Sequence, residues 1–418
     1  MNNILFLCLS VVIFVHCFAS ENQCEFETVE TIPNGVELSE PKSLSTLDAI
    51  LSLINNAKES LDISALYLTL SCRDQSEEVA AGCENGEKIL NSIINATKLR
   101  NVNVLIAMST KFSAISSNDV ELLTEAGVKF QYVSMKKGAL RTKLIIADNN
   151  SAYIGSANLD WRSMTQVKEF GVYINNCKQV ALDLKKIFQV YWLFGKHNSR
   201  FSSRWSKSLS TKFNIANPMK IELNSELAQL YISSSPKRFK TIGRTDAFKA
   251  LIKVIENAEK FIYINVLSYL PIFKSSNKYW PAIENALRKA IIERNVTVKF
   301  MVGKWPHTNN NQFVFLHSLN YLSKLSVSGN FQYKLFRVPA LNESIEYTRF
   351  ARNKYMVTDK QVYIGTLDWN ADYFQYDAGI AFVASFDSND NNLRRKVENI
   401  FDRDWSSSYT ISGDLFNF

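Results

Sequence analysis

The stretch that decides the fold occurs twice, as Arg-Thr-Lys-Leu-Ile-Ile-Ala-Asp at 141–148 and as Arg-Asn-Lys-Tyr-Met-Val-Thr-Asp at 352–359. In both copies a lysine follows the arginine by two positions, and an aspartate follows that lysine by five. Both copies run into Tyr-Ile-Gly, at 153–155 and 363–365, and then reach a tryptophan. Two copies about half a chain apart indicate a duplicated unit that contributes twice to one site.

The similarity between the halves extends on both sides of these stretches. Four segments of the first half each match a segment of the second half. The pairs are 48–58 with 246–259 for a helix, 61–68 with 262–267 for an apolar strand, 100–106 with 294–300 for the next strand, and 187–192 with 400–405 for a closing helix. Helices that alternate with short β-branched runs are typical of an α/β sandwich. The sequence therefore predicts two similar α/β/α halves with mixed sheets, related by a pseudo-twofold axis.

The boundary between the halves is predicted in the polar, Ser-rich segment 201–224. With a leader at 1–19, this gives a first half at 20–205 and a second half at 206–418. The chain of 418 residues is long enough for two domains or one large duplicated unit. Its formal net charge of +8 favours anionic partners, although many extracellular proteins are basic without one.

The N-terminus resembles a secretory signal. Residues 4–15 form an apolar run too short to span a bilayer, and small residues at Cys17 and Ala19 suit cleavage after Ala19. No Lys or Arg precedes the run, so an uncleaved anchor is the alternative. Secretion, or a lumenal location such as the endolysosome, also agrees with four glycosylation sequons: Asn95, Asn149, Asn295 and Asn342.

Four cysteines remain beyond the predicted signal, namely Cys24, Cys72, Cys83 and Cys177. An even number in an oxidising compartment indicates disulfides, and four cysteines allow three pairings. Cys72 and Cys83 are close enough in sequence to form a small loop, which would leave Cys24 to pair with Cys177. Free buried thiols are the alternative.

The motif residues are predicted to lie on strands. Because side chains alternate along a strand, Arg141 and Lys143 should point one way and Thr142 the other, and Arg352 and Lys354 should repeat this arrangement. The motif acids come after the strands, near the turn into Tyr-Ile-Gly, at Asp148 and Asp359. The following glycines, Gly155 and Gly365, are expected to let the backbone approach a ligand closely.

These residues resemble the paired His-x-Lys-x4-Asp motif of the phospholipase D superfamily. The flanking stretches 155–171 and 353–366 are similar to its endolysosomal and viral-envelope branch, whose members include phospholipid-directed enzymes and single-strand exonucleases. The resemblance covers nearly the whole mature chain. It implies a phosphodiester ligand and no metal or cofactor. It also implies a phosphate-binding set of Arg141, Lys143, Ser156, Asn158, Arg352, Lys354 and Thr366, with Lys143, Lys354, Asp148 and Asp359 as catalytic-motif remnants.

The sequence departs from the family where the chemistry occurs. In active members one motif histidine attacks phosphorus and the other protonates the leaving oxygen, but both positions are arginine here, Arg141 and Arg352. A guanidinium stays protonated and has no lone pair for attack. The remaining histidines of the mature chain, His197, His307 and His317, lie away from both motifs in sequence. Catalytic impairment is therefore predicted.

Four cations are expected to converge in one pocket, with Arg141 facing Arg352. Their repulsion requires counter-charge, either from a bound anion or from acids after the motifs: Asp148, Asp359, Glu169, Asp368 and Asp377. Glu169 and Asp377 are favoured because they follow their motifs by similar intervals. Asp368 stands where the family usually has asparagine and would repel phosphate unless it is paired, with Arg352 as the candidate partner.

Several functions stay open at this point. The pocket either binds phosphate without cleaving it, or the arginines form internal ion pairs that fill a relict pocket. One rival hypothesis is an active hydrolase that uses a different nucleophile. Another is a non-catalytic protein that assembles with an active relative or as a homodimer. The aromatic residues after the motifs, Trp161, Trp369, Tyr373 and Phe374, could stack bases or contact a membrane surface, although such residues more often belong to the core.

Overall fold

The computed structural model describes residues 24–71, 82–110, 117–197, 205–224, 226–324, 329–341, 345–387 and 392–413. The predicted signal at 1–19, together with Cys72 and Asn342, lies outside these ranges. Within them, no helix has the length and apolar character of a membrane span.

The first half contains ten strands and five helices in the described residues. They are β1 (Glu25–Thr31), β2 (Leu44–Ser45), α1 (Thr46–Asn56), β3 (Ser60–Ala65), β4 (Leu68–Thr69), α2 (Glu84–Arg100), β5 (Asn103–Ser109), α3 (Ser117–Glu125), β6 (Lys129–Val133), β7 (Leu144–Ala147), β8 (Ser151–Gly155), β9 (Leu159–Asp160), α4 (Trp161–Thr165), β10 (Glu169–Asn175) and α5 (Lys178–Lys196).

The second half repeats the pattern with additional short strands. Its elements are β11 (Met219–Leu223), β12 (Glu226–Ser235), β13 (Thr245–Asp246), α6 (Ala247–Asn257), β14 (Phe261–Val266), β15 (Tyr269–Leu270), β16 (Ile272–Phe273), β17 (Lys278–Tyr279), α7 (Ala282–Arg294), β18 (Thr297–Lys304), α8 (Asn311–Asn320), β19 (Asn330–Arg337), β20 (Lys354–Thr358), β21 (Gln361–Gly365), β22 (Trp369–Asn370), α9 (Ala371–Tyr376), β23 (Gly379–Phe386), α10 (Leu393–Ser406) and β24 (Thr410–Ser412).

Each half is built on one mixed sheet, and the two sheets have the same topology. Seven strands in the order β1-β10-β8-β7-β3-β5-β6 correspond to β12-β23-β21-β20-β14-β18-β19. In both sheets the first five strands pair antiparallel and the last three pair parallel. The predicted fold class, two similar halves with mixed sheets, is confirmed.

The first helix of each half begins with the same kind of cap. The Ser45 hydroxyl accepts a hydrogen bond from the Asp48 N–H at 3.0 Å, and the Asp246 carboxylate accepts from the N–H groups of Phe248 and Lys249 at 3.1 and 3.2 Å. These bonds satisfy N–H groups that the first turn of a helix leaves unpaired. Both helices then lead, after a short turn, into the central strand of their sheet.

Helices cover both faces of each sheet, and the halves share one core. Helices α5 and α10 pack between the two sheets. The outer face of the first sheet is covered by α1 and α2, and the outer face of the second sheet by α6 to α8. Ring pairs cross the boundary: the centroids of Phe170 and Tyr355 are 4.3 Å apart, and those of Phe26 and Phe382 are 5.5 Å apart. The halves therefore form one continuous unit, and the domain limit at 205/206 stays a prediction.

The covalent predictions have different outcomes. Cys24 and Cys177 form a disulfide with their Cα atoms 4.7 Å apart, which confirms the predicted long-range bridge. Cys83 is also disulfide-bonded, but Cys72 lies outside the described residues, so their pairing stays a prediction. Glycosylation stays a prediction too: Asn95 and Asn295 are exposed, whereas Asn149 is half-buried in a turn.

Candidate functional site

Both motifs lie where backbone from one half bonds to backbone from the other. The Arg141 N–H donates to the Ala378 carbonyl at 2.8 Å, and the Arg352 N–H donates to the Lys168 carbonyl at 2.8 Å. Ala378 stands immediately before β23 and Lys168 immediately before β10. The residues at the start of each of these strands therefore lie next to the motif of the opposite half.

Each motif arginine is paired with a buried carboxylate from the opposite half. Arg141 Nε donates to Asp377 Oδ2 at 2.6 Å. Arg352 Nε donates to Glu169 Oε1 at 3.0 Å, and Arg352 Nη2 contacts the same oxygen. The expectation that Glu169 and Asp377 supply counter-charge is confirmed, and only the three-dimensional structure shows that both pairs cross between the halves.

The two motif lysines have different surroundings. Lys354 Nζ donates to Asp368 Oδ1 at 2.6 Å, so Asp368 pairs with this lysine and not with Arg352 as expected. Lys143 Nζ donates to the Arg141 carbonyl at 2.8 Å. Among the described residues, no carboxylate oxygen lies within 4.0 Å of the Lys143 ammonium. One motif lysine is thus neutralised by the protein, and the other is not.

The electrostatics of Lys143 show that both motifs contribute to one site. Burial, followed by the charges of Arg352, Lys354 and Arg141, holds the pKa of Lys143 well below 10.5, and Glu169 opposes this only in part. Two of these cations come from the second half. Their charges reach Lys143 because the backbone hydrogen bonds and ion pairs between the halves bring the two motifs close together.

The remaining ion pairs are stable in their charged forms. Burial alone would raise the pKa of Asp368, but Lys354 lowers it below 3.8. Burial alone would lower the pKa of Arg352, but Glu169 raises it above its usual value. The four cations of the site therefore face three paired carboxylates, and the cation in excess is Lys143.

The motif aspartates do not belong to this site. Asp148 accepts hydrogen bonds from the backbone N–H groups of residues 58–60 at 2.8, 2.8 and 2.9 Å, and Asp359 accepts from those of 259–261 at 3.0, 3.0 and 3.5 Å. Strands β7 and β20, four and five residues long, separate them from the motif lysines by more than about 10 Å. Their role is to hold the turn before the central strand, which corrects their assignment as catalytic remnants.

The hydroxyl groups predicted to bind phosphate are already engaged. Ser156 Oγ donates to Glu169 Oε2 at 2.6 Å and accepts from the Phe170 N–H at 3.0 Å. Thr366 Oγ1 accepts from the Ile380 N–H at 3.1 Å. Both side chains support the starts of β10 and β23, so we assign them a positioning role.

Asn158 remains in the site, in contact with a residue that sequence reasoning missed. Its Nδ2 donates to the Tyr67 hydroxyl at 2.9 Å, and its buried Oδ1 has no partner among the described residues. The Tyr67 hydroxyl donates in turn to Asp160 at 3.1 Å. Arg352 Nη2 donates to Ser163 Oγ at 2.6 Å, a contact with no local sequence signal. These contacts become visible only when the segment after β3, residues 158–163 and the segment before β20 are brought together.

The motif glycines make room for the protein itself and not for a ligand. A Cβ atom at Gly155 would lie 2.2 Å from the Tyr153 hydroxyl, and one at Gly365 would lie 2.9 Å from the Tyr363 ring. Both tyrosines are buried, so the small residue is required by a side chain two positions earlier. This corrects the expectation that these glycines face a ligand.

The tryptophans after the motifs belong to the core. Trp161 and Trp369 are both 0% exposed, and they are not equivalent, because Trp161 begins α4 whereas Trp369 lies in β22. Phe374 is also buried, at 5%. Tyr373 is the exception: its ring centre lies 4.6 Å from the Arg141 guanidinium carbon, a distance suited to a cation–π contact.

The described histidines do not replace the missing ones. His317 hydrogen-bonds with the Tyr333 hydroxyl at 3.0 Å, and His307 packs edge-on against Trp305 with ring centroids 4.8 Å apart. His197 is exposed just after α5. Among the described residues, Arg141 and Arg352 form no hydrogen bond or ring contact with any of these three histidines.

Comparison with known proteins agrees with this geometry. A family model described as "PLD3/4, PLD-like domain" matches residues 38–341. The chain belongs to the phospholipase D superfamily. It is 40% identical over 405 residues to the 5'-3' exonuclease PLD3 of Xenopus laevis, an alignment that covers 94% of this chain and 82% of the relative.

Other relatives show the same extent of similarity. The human 5'-3' exonuclease PLD3 is 39% identical over 397 residues, which cover 93% of this chain and 80% of the relative. The mouse 5'-3' exonuclease PLD4 is 34% identical over 406 residues, with 94% and 80% covered. The crystal structure of a Haemophilus influenzae phosphatidylserine synthase shares the fold, with a TM-score of 0.60 at 13% identity over 88% of this chain and 85% of that one.

Proposed function

We propose that this protein binds single-stranded nucleic acid through a phosphate held at the shared motif site, and that its phosphodiesterase activity is severely impaired. The observation that carries the proposal is Lys143, a buried ammonium with three cationic neighbours and no carboxylate partner among the described residues. A buried charge in these surroundings is costly unless an anion approaches it. A phosphate oxygen supplies that anion.

Arg141 supports the same ligand. Only its Nε is engaged, by Asp377, and its terminal NH₂ groups form no hydrogen bond with a described residue. The side chain is 23% exposed, so those groups are accessible from solvent. Two parallel N–H donors match the oxygens of a phosphate, as in many arginine–phosphate contacts.

The loss of catalysis follows from the same two arginines. Each is held by a buried carboxylate. Burial acts to lower the pKa of Arg352, but Glu169 outweighs this effect and raises that pKa further above neutral pH. Neither side chain can give up a proton to activate water or provide a lone pair to attack phosphorus. The site therefore retains the electrostatics of phosphate binding without a nucleophile in the two family positions.

Nucleic acid is the ligand class that the relatives favour. Those that align with more than nine-tenths of this chain are named 5'-3' exonucleases, and the net charge of +8 attracts polyanions. A phospholipid headgroup presents the same phosphodiester and serves as the competing ligand in the test.

The test combines a binding and a turnover assay on the purified protein. We expect a 5'-phosphorylated single-stranded oligonucleotide to bind with an affinity that falls with salt and without release of mononucleotides. The Lys143→Met variant should lose about 10- to 100-fold in affinity, the range for a hydrogen bond to a charged group. Lys88→Met, at an exposed lysine of α2, is the matched control.

Two results would contradict the proposal. Equal affinity of the native protein and Lys143→Met would remove the motif site as the binding site. Turnover comparable to the Xenopus laevis relative and abolished by Lys143→Met would show instead an active hydrolase that depends on Lys143.

We also propose passage through the secretory pathway. The Cys24–Cys177 disulfide requires an oxidising compartment, and the exposed sequons at Asn95 and Asn295 are accessible to glycosylation. N-terminal sequencing and glycosidase treatment of the protein from its natural source test this. A retained Met1 without glycan would contradict it.

A further inference from the structure

A cleft of about 930 Å³ lies beside the motif site, between the two halves. One wall is formed by residues 134–137 of the first half, and another by residues 236–238 of the second half. Helix α9 and Trp280 close a further side. None of the four motif cations lines this cleft, so it is a distinct feature.

The cleft is cationic on both of these walls. Lys136 and Lys137 stand on one wall, and Lys237 and Arg238 on the other; all four are exposed. Asp246 is the acid among the described lining residues, and its carboxylate accepts two backbone N–H bonds as the cap of α6. Four cations against one acid leave the described lining with an excess of positive charge.

Aromatic side chains line the same cleft. Trp280 and Phe248 are half-buried with ring centroids 4.7 Å apart, and Tyr376 is half-buried with Lys137 Nζ 5.2 Å from its ring centre. Base–aromatic stacking combined with a positive groove is the usual arrangement for sequence-independent binding of single strands.

The cleft and the motif site share helix α9. Its Tyr373 contacts Arg141, whereas Phe374 and Tyr376 line the cleft. Gly138 allows the rim to pass close to the helix end: it has a φ of +83°, and a Cβ atom there would lie 2.2 Å from the Tyr376 carbonyl oxygen. The next residue, Asp377, is the partner of Arg141.

We propose that this cleft binds the continuing chain of a single-stranded nucleic acid whose phosphate occupies the motif site. The proposal rests on the proposed function. Cations contributed by both halves suit a ligand with repeated phosphates, whereas a phospholipid carries one phosphodiester. Aromatic rings in the same lining suit flat bases that follow one another along the strand.

The experiment measures the affinity for a 5'-phosphorylated dinucleotide and for a ~12-mer, a length in the usual range of single-strand sites. The test variant is Lys136→Glu/Lys237→Glu, with one change on each wall. The control is Lys88→Glu/Lys289→Glu, at exposed lysines of α2 and α7, which alters the net charge equally. The variant Trp280→Phe, monitored by tryptophan fluorescence, provides a readout of binding that does not depend on the charge of the protein.

We expect the test variant to bind the ~12-mer about 10- to 100-fold more weakly than the control and to lose roughly 1.4 from the salt slope, about 0.7 for each lost phosphate contact. Its affinity for the dinucleotide should match that of the control. The ~12-mer should quench fluorescence in the native protein and less in Trp280→Phe.

Three outcomes would overturn the proposal: equal ~12-mer affinity in the test and control variants, equal affinity of the native protein for dinucleotide and ~12-mer, or retention of phosphatidylglycerol vesicles through Lys136 and Lys237 without oligonucleotide binding. Failure of the proposed function is distinguishable from these. It appears as a dinucleotide affinity that Lys143→Met leaves unchanged.

Discussion

The first and second copies of the motif differ in the partner of their lysine. In the second copy Lys354 is bonded to Asp368 at 2.6 Å, and burial, offset in part by this carboxylate, lowers the pKa of that lysine. In the first copy the position equivalent to Asp368 is Asn158, and Lys143 bonds only to a backbone carbonyl. One copy is neutralised internally, and the other keeps a cation for a ligand.

The copies also differ where they meet. Lys168 in the first copy is fully buried and bonds to Glu30 at 2.9 Å and to Asp404 at 2.8 Å, with Arg403 on the same glutamate. The equivalent position in the second copy is Ala378. A duplicated scaffold can thus assign ligand binding and internal support to different residues, because each side chain responds to its own surroundings and not to its place in the repeat.

The largest expected effect concerns hydrolysis. Because neither copy has a nucleophile at the family position, we expect the native rate to be about 10⁴- to 10⁶-fold below that of the Xenopus laevis relative. The variant Arg141→His/Arg352→His/Asp368→Asn should gain roughly 10²- to 10⁴-fold over the native protein, and either single histidine variant should gain little. Release of mononucleotides from a labelled single strand measures this. A native rate within about tenfold of the relative would end the idea of impairment.

The second effect concerns the buried network beside the first copy. Burial raises the pKa of Glu30, but Lys168 and Arg403 outweigh it and lower the pKa to about 2. Because the pKa of Glu30 is lower in the folded than in the unfolded protein, its ionisation stabilises the fold at pH values above 4.5, the unfolded pKa. This stabilisation is lost as the pH falls towards about 2, the folded pKa.

Glu30→Gln should therefore cost about 3–5 kcal/mol in unfolding free energy near neutral pH, because it leaves two buried cations, Lys168 and Arg403, to share the one carboxylate of Asp404. The loss of stability between pH 4.5 and about 2 should be smaller in the variant than in the native protein. Chemical denaturation at several pH values measures both, with Glu87→Gln, at an exposed position of α2, as the control. An unchanged unfolding free energy would refute the support role.

The third effect separates the two lysines directly. Lys143→Met should reduce oligonucleotide affinity about 10- to 100-fold without loss of stability, because it removes a charge that no described carboxylate balances. Joint removal of the internal pair, in Lys354→Met/Asp368→Asn, keeps the net charge and should leave the affinity within a few-fold of native. Fluorescence anisotropy and thermal unfolding provide the two readouts. If the joint variant loses as much affinity as Lys143→Met, the copies are equivalent and the comparison fails.

The smallest effect is the pH dependence of binding. The pKa of Lys143 lies well below 10.5 in the unliganded protein, and a bound phosphate should raise it, so binding takes up a proton. Affinity should therefore fall as pH rises from the depressed pKa towards 10.5, by less than about tenfold per pH unit. Lys143→Arg stays charged and should flatten this dependence. An identical slope in that variant would place the titrating group elsewhere.

Much of the fold was predictable because its signals are local. Alternation along a strand and the Asp-Ala starts at 48 and 246 depend on neighbouring residues, and they correctly placed the strands, the helices and the duplication. The loss of both histidines is readable without a structure, because no arrangement gives arginine a free lone pair. The convergence of the four cations followed from the duplication itself.

Other assignments failed because they depend on residues distant in sequence. Asp148 was predicted to belong to the site, yet it holds the turn at 58–60, and Gly155 accommodates Tyr153 instead of a ligand. Asp368 was expected to pair with Arg352 and pairs with Lys354. Periodicity identifies the face of a strand on which a residue lies, but it does not identify the side chain that meets it across the molecule.

The sequence by itself determined the family, the two-half α/β fold and the absence of a histidine nucleophile at the motif positions. Only the tertiary structure decided which carboxylate neutralises which cation, that Lys143 alone among the four motif cations pairs with no described carboxylate, and that a cationic, aromatic cleft adjoins the site. The physical reason is that ion pairing depends on distances of a few ångströms between side chains that the chain brings together only when both halves are packed.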